Sequence, residues 1–94
     1  MNKKTEDFYK RLKEKLTQST LWPSEYLFKF VVPSQAESVK KVETAFDNMG
    51  AVIETRQSKT GKYTSVSVNV KMKSPESVIE KYIQVSHIEG IISL

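Results

Sequence analysis

The amino-acid sequence predicts an α+β domain in which two helices lie on one face of a four-stranded antiparallel sheet. Residues 25–32 and 62–72 have apolar residues at every second position, which is the period of a strand. The segments that begin at Ser34 and Ser74 have apolar residues at the three- and four-residue spacing of amphipathic helices. Strands and helices follow one another in the order βαββαβ, which is the split βαβ arrangement of the ferredoxin-like fold.

An additional helix over residues 6–17 precedes this domain, with Thr5 as its candidate cap. Its apolar stripe consists of Phe8, Leu12 and Leu16, with Tyr9 beside them. We divide the chain into an N-terminal extension, residues 1–19, and a ferredoxin-like domain, residues 20–94. A helix of about 12 residues is marginal alone in water, so we expect the stripe to be buried. It would cover the open sheet face of its own chain or of a symmetric mate, and the second case predicts a homodimer.

The first and third strands are predicted to be central neighbours. Residues 25–32 are apolar on both sides, as in a strand with neighbours at both edges. The inward residues of these two strands are Tyr26, Phe28, Phe30 and Val32, and then Val66, Val68, Val70 and Met72. Leu27, Lys29 and Val31 face the other way. Residues 51–58 form a second strand that is polar enough for a sheet edge, and residues 88–94 form the last strand.

Two helices connect these strands. Ser34 and Glu37 have the spacing of a capping box at the start of the first helix, and Gly50 is a left-handed stop after it. Ser74 caps the second helix, and Pro75 takes its first helical position. The buried stripes are predicted to be Val39, Val42, Phe46 and Met49 in the first helix, and Val78, Ile79, Tyr82 and Ile83 in the second.

Composition and charge restrict the class of protein. Six cations and three anions lie in residues 1–16, and nine cations and eight anions lie in residues 17–94. The domain itself is therefore nearly neutral, which is a poor footprint for nucleic-acid binding. The sequence has no cysteine, which excludes disulfides and Cys-type zinc sites, and no apolar run approaches the roughly 18 residues that span a bilayer. Together with an N-terminus that lacks a secretory signal pattern, these features predict a cytoplasmic protein with no membrane partner.

The stretch "SKTGKYTSVSVNVKM", residues 58–72, allows three interpretations. A phosphate-binding loop needs a glycine where Arg56 stands and a helix after the lysine, whereas an alternating strand follows here. A sheet that reads RNA needs two or three exposed aromatic side chains, and the outward positions supply Tyr63. The third interpretation is a solvated hairpin whose lysines discourage edge pairing. Weak nucleic-acid binding is therefore kept as the alternative function.

The sequence indicates no enzyme, metal site or cofactor. His87 is the single histidine, and its place near the end of a helix is typical of a C-terminal cation. Ser65 and Ser67 have no base in the sequence pattern that could activate them. We therefore predict no catalytic residues, no metal ligands and no cofactor.

Several stretches resemble the small bacterial YbeD-like family, a domain of unknown function. They are "LWPSEYLFKFVVP", "SKTGKYTSVSVNVKMKSPESVIEKY" and the closing "IEGIISL". The resemblance covers residues 20–94 and is most specific in Gly-Lys-Tyr-x-Ser-Val, residues 61–66. It implies a ferredoxin-like fold close to ACT-type regulatory domains, and some members are described as lipoic-acid-binding regulators. ACT domains that bind amino acids use a glycine in the loop after the first strand, and here "VPSQAE" has none.

The leading hypothesis is a non-enzymatic regulatory or interaction module of the ACT-like kind. Its ligand would be a small carboxylate, related to lipoate by the resemblance, or its partner another protein. Cations gather around the turn at Gly61, and hydroxyl groups follow on the same strand face. Cations attract a carboxylate, and hydroxyl groups fix its orientation. The candidate binding residues are Lys29, Arg56, Lys59, Lys62, Tyr63, Ser65 and Ser67.

Overall fold

The computed structural model describes residues 3–94, which form three helices and one four-stranded sheet. The elements are α1 (Lys3–Ser19), β1 (Ser24–Pro33), α2 (Ala36–Ala45), β2 (Val52–Gln57), β3 (Tyr63–Met72), α3 (Pro75–Val85) and β4 (Ile92–Ser93). The strand order is β2-β3-β1-β4, and all neighbouring strands are antiparallel. The predicted ferredoxin-like topology is confirmed, with β1 and β3 in the centre and β2 at an edge.

The core lies between the sheet and the helices α2 and α3. Side chains of β1 and β3 alternate in burial, and the register places Phe28 opposite Val68 and Phe30 opposite Val66, all of them fully buried. The ring of Phe46, the residue that follows α2, lies 5.0 Å from that of Phe28. Burial of each phenylalanine stabilises the fold by about 1.5–3 kcal/mol, so burial of these aromatic side chains is a major source of stability. The predicted inward face of both strands is confirmed.

The start and end of α2 differ from the sequence prediction. Gln35 is the N-cap and makes no side-chain capping bond, so the predicted capping box at Ser34 is wrong. The Ser34 hydroxyl instead lies 2.8 Å from the Thr64 hydroxyl and ties the start of α2 to β3. The helix ends at Ala45, and Asn48 takes a positive φ of 61° before Gly50 does so with 70°. The chain therefore turns several residues earlier than the glycine alone suggested.

The cap of α3 is confirmed, and its buried face is rotated relative to the predicted one. The Ser74 hydroxyl accepts a hydrogen bond from the Ser77 amide at 3.2 Å, and Pro75 is the first helical residue. The buried residues on this helix are Pro75, Val78, Tyr82 and Val85, whereas Ile79 and Ile83 are half-buried. Both sets have the three- and four-residue spacing, so which of them is buried depends on how α3 packs on the sheet and not on periodicity alone.

The last strand is shorter than predicted. Residues 88–90 form a turn, in which the Ile91 amide donates to the Ile88 carbonyl at 3.2 Å, and the strand is limited to Ile92 and Ser93. Gly90 has a φ of +75° and packs so closely on Pro33 that a Cβ there would lie 2.8 Å from the proline Cγ. Because this turn packs against the end of β1, only the residues after the turn can pair with β1, and β4 is short.

The N-terminal helix packs on α3, which lies on the helical side of the sheet. Leu12 and Leu16 are half-buried at the edge of the core, whereas Phe8 is 58% exposed. The indole nitrogen of Trp22 donates to the Leu16 carbonyl at 3.1 Å, which holds the end of α1 in place. Thr5 lies inside the helix, so its predicted role as a cap is wrong. The apolar stripe of α1 was expected to cover the open sheet face of its own chain. This expectation is also wrong, because α1 lies with α3 on the helical side of the sheet.

Candidate functional site

The sheet face opposite the helices carries most of the predicted binding residues. Three strands contribute one residue each to two rows across this face, since directly opposed residues of neighbouring strands point to the same side. The first row is Glu54, Ser67 and Lys29, and the second is Arg56, Ser65 and Val31. Tyr63 lies one row further, opposite Pro33 at the end of β1. The structure therefore places Lys29, Arg56, Tyr63, Ser65 and Ser67 on one side of the sheet.

A tight turn joins β2 to β3 and fixes the position of Lys59. The Gly61 amide donates to the Ser58 carbonyl at 2.9 Å, and the Ser58 amide donates to the Tyr63 carbonyl at 2.8 Å. Gly61 has a φ of +74°, a left-handed conformation that favours glycine. The Ser58 hydroxyl also accepts from the Tyr63 amide at 3.3 Å. These bonds hold the turn against the end of the sheet.

A shallow depression of about 340 Å³ lies between this turn and the open sheet face. Its lining residues are Val31, Arg56, Gln57, Ser58, Lys59, Tyr63 and Ser65. Four of the seven predicted binding residues, Arg56, Lys59, Tyr63 and Ser65, thus meet in one place. The Ser65 hydroxyl donates to the Arg56 carbonyl at 3.2 Å, which fixes β2 beside β3 at this point. The site combines two cations, three hydroxyl groups and an apolar wall.

The other three predicted residues lie outside the depression. Lys29 and Ser67 belong to the neighbouring row, next to Glu54. Lys62 precedes β3, where its carbonyl accepts a hydrogen bond from the Ser34 amide at 2.9 Å, and its side chain is not part of the lining. The three cations of the hairpin are therefore divided, with Arg56 and Lys59 on the depression and Lys62 away from it.

A larger groove of about 530 Å³, which the sequence did not reveal, runs between α2 and the end of α3. Lys40, Lys41 and His87 stand at its rim, and Val85 and Ile88 form part of its apolar floor. Lys41 is held by an ion pair with Glu37 at 3.4 Å, one helical turn away. No sequence signal could have found this groove, because it depends on how two helices pack. Within residues 3–94, no group of three or more His, Asp or Glu residues could hold a metal ion, and no helix is long and apolar enough to cross a membrane.

Comparison with protein families places the chain in one of them. The model of a family described as "Protein of unknown function (DUF493)" matches residues 17–94. The chain belongs to the DUF493 family. The DUF493 match includes every strand, both core helices and all seven candidate binding residues, whereas most of α1 precedes it. Comparison with curated proteins gave no match, and comparison with solved structures gave none. The DUF493 description assigns no function, so the lipoate connection suggested by the resemblance stays a prediction.

Proposed function

We propose that this protein is a non-enzymatic regulatory module that binds a small carboxylic acid at the hairpin end of its open sheet face. One observation carries the proposal: Arg56, Lys59, Tyr63 and Ser65 surround a single depression. Its volume of about 340 Å³ is at the lower end of the range for small-molecule sites. This size favours a small acid over a protein segment as the ligand.

The side chains around the depression suit a carboxylate attached to an apolar chain. The Arg56 guanidinium can donate two parallel hydrogen bonds to a carboxylate, and Lys59 adds a second positive charge. The Tyr63 hydroxyl is able to donate to the same oxygens, whereas the Ser65 hydroxyl already donates to the Arg56 carbonyl and can accept a hydrogen bond. Val31 and the ring of Tyr63, which is 48% exposed, offer apolar surface beside the charged end. Lipoate and medium-chain fatty acids have this combination of groups.

The experiment is a titration of the ¹⁵N-labelled protein with lipoate, octanoate and lipoamide, followed by amide chemical shifts. Lipoamide keeps the ring and chain of lipoate but lacks the charge, so it isolates the contribution of the carboxylate. We expect both acids to shift the amides of Arg56, Tyr63 and Ser65, and lipoamide to bind about tenfold or more weakly, because a charged hydrogen bond contributes roughly 1.5–3 kcal/mol.

Two single variants on the same hairpin separate the depression from the rest of the turn. Lys59→Gln should weaken the binding of octanoate, whereas Lys62→Gln, which removes the same charge outside the depression, should leave it nearly unchanged. Equal losses in both variants, or no shift with either acid at millimolar concentration, would refute the proposal. Binding of single-stranded nucleic acid that falls steeply with salt would support the alternative function instead.

A further inference from the structure

The open sheet face carries most of the exposed large apolar side chains of residues 3–94. They are Leu27, Val52, Tyr63, Ile92 and Leu94, with exposed fractions from 48% to 73%. Their positions follow from the register: Leu27 and Val52 are both opposite Asn69, and Ile92 is opposite Val31. No element of the described chain covers this face, because all three helices lie on the other side of the sheet. Contiguous exposed apolar surface of this kind is typical of an interaction site.

Glu54 and Lys29 carry opposite charges on this face, at equal distances on either side of its central strand β3. Glu54 and Lys29 lie in the same row, separated by Ser67 on the strand between them. Neighbouring strands are about 4.8 Å apart, so these two positions are separated by about 10 Å across the sheet. Glu54 and Lys29 make no ion pair with each other, since the two ion pairs of residues 3–94 are both on helices or between them. A carboxylate and an ammonium group therefore stand on either side of β3, both free to meet a charge from above.

We propose that this face binds the same face of a second copy of the chain, around a two-fold axis parallel to β3. A rotation about that axis brings β2 of one copy over β1 of the other. Glu54 then meets Lys29 of the second copy, and Val52 meets Leu27 of the second copy. Because the interface is isologous, each contact occurs twice. The rows of Glu54 and of Val52 are therefore complementary to themselves, whereas in the second row Arg56 meets Val31 of the second copy.

The serines of β3 fit this arrangement because they would lie on the axis. Ser65 and Ser67 are the outward residues at the middle of the strand, where the two sheets approach most closely. Packed sheets are separated by about 10 Å, and small side chains at the centre allow the larger ones at the sides to interdigitate. Serine is a weaker strand former than valine or threonine, so its repeated use on a central strand has a physical reason here.

The size of the face sets the strength of association. In this arrangement β2, β3 and β1 overlap with the second copy, and four rows of outward residues on three strands cover about 400 Å² on each copy, or about 800 Å² in total, which is the size of a weak, transient interface. We therefore expect a weak dimer that forms at submillimolar concentration. Val31, Arg56 and Ser65 line the carboxylate depression and also belong to this face, so dimerisation and carboxylate binding would compete. The inference itself uses no observation about the depression and does not depend on the proposed function.

Sedimentation velocity over protein concentrations from about 5 μM to 1 mM tests the inference without any ligand. The wild-type protein should shift from monomer to dimer across that range. Glu54→Lys should weaken association about tenfold or more, because the two ion pairs across the interface become repulsive. Lys29→Glu should have the same effect, and the double variant Glu54→Lys/Lys29→Glu should restore dimerisation because the pairs are re-formed with opposite polarity.

A matched control is Glu80→Lys, which makes the same change of charge at an exposed position of α3. This variant should dimerise like the wild type, and circular dichroism establishes that all variants are folded. The inference fails if the wild-type protein stays monomeric at 1 mM. It also fails if Glu80→Lys weakens the dimer as much as Glu54→Lys, or if the double variant is no better than the single ones.

Discussion

Removal of the two leucines that anchor α1 should lower the stability of the whole domain. Leu12 and Leu16 are half-buried against the edge of the core, on the side of α1 that faces α3. Replacing a fully buried leucine by alanine lowers the free energy of unfolding by about 2–5 kcal/mol, so replacing a half-buried one should lower it by about 1 kcal/mol. The double variant Leu12→Ala/Leu16→Ala should therefore lose about 2 kcal/mol in the free energy of unfolding.

This loss can be read as a change in melting temperature. Unfolding of the 94-residue chain has an entropy of about 0.2 kcal/mol/K, from an average of about 2.1 cal/mol/K per residue. A loss of about 2 kcal/mol should then lower Tm by about 10 °C, measured by circular dichroism at 222 nm. Hydrogen exchange in α1 should also rise, because a 17-residue helix without its tertiary contacts is marginal in water.

The control for this prediction lies on the same helix. Phe8 is 58% exposed, so Phe8→Ala should change stability by no more than about 0.5 kcal/mol. If Phe8→Ala lowers Tm as much as the double leucine variant does, a different side of α1 is buried and the packing described above is wrong. An unchanged Tm in the double variant would show that α1 contributes nothing to the folded domain.

Two further predictions concern the alkaline stability of the core and the close approach of β1 to the last turn. Burial and a hydrogen bond with the Tyr26 hydroxyl at 2.9 Å raise the pKa of Tyr82 well above its ordinary value near 10. Above pH 10 the unfolded chain loses that proton and the folded chain keeps it. The free energy of unfolding should therefore fall by up to about 1.4 kcal/mol per pH unit relative to Tyr82→Phe. If urea unfolding shows the same stability difference between the two proteins from pH 8 to 11, the prediction is wrong. Gly90→Ala should destabilise the protein more than Gly61→Ala. Both glycines have a left-handed φ, but only a Cβ at position 90 would lie 2.8 Å from the Pro33 ring. Equal urea midpoints for the two variants would show that Pro33 moves to accommodate the Cβ.

The parts of the fold that depend on periodicity could be predicted from the sequence. The two-residue alternation in β1 and β3 placed their inward residues correctly, because a strand has one geometry and a slip of one residue would expose the whole apolar set. The cap at Ser74 was also predictable, since serine followed by proline is a local signal that needs no tertiary contact. By contrast, Ser34 has a similar local signal for a helix cap, but its hydroxyl forms a hydrogen bond with Thr64 on β3 instead.

The placement of α1 and the division of the hairpin cations could not be predicted in this way. An amphipathic stripe shows that a helix packs on something, yet the sheet face and the edge of α3 are both apolar enough to receive it. Likewise, Lys59 and Lys62 are three positions apart in a turn, and which of them borders the depression depends on the hydrogen bonds of Ser58. Both outcomes are set by tertiary geometry.

Within residues 3–94 no helix covers the outer sheet face, and both proposals made for this protein depend on this open face. In β3 the inward residues are buried and include three valines, while the outward positions in the first half of the strand are serines, with Tyr63 and Asn69 at either side. A strand whose outer face met only water would gain stability from threonine or valine there, because these fit the pleated surface better. Serine instead keeps the centre of the face low, with charged and apolar residues higher on β1 and β2. A low centre between raised sides can receive another sheet, and the corner next to the hairpin, where the cations stand, can receive a small anion.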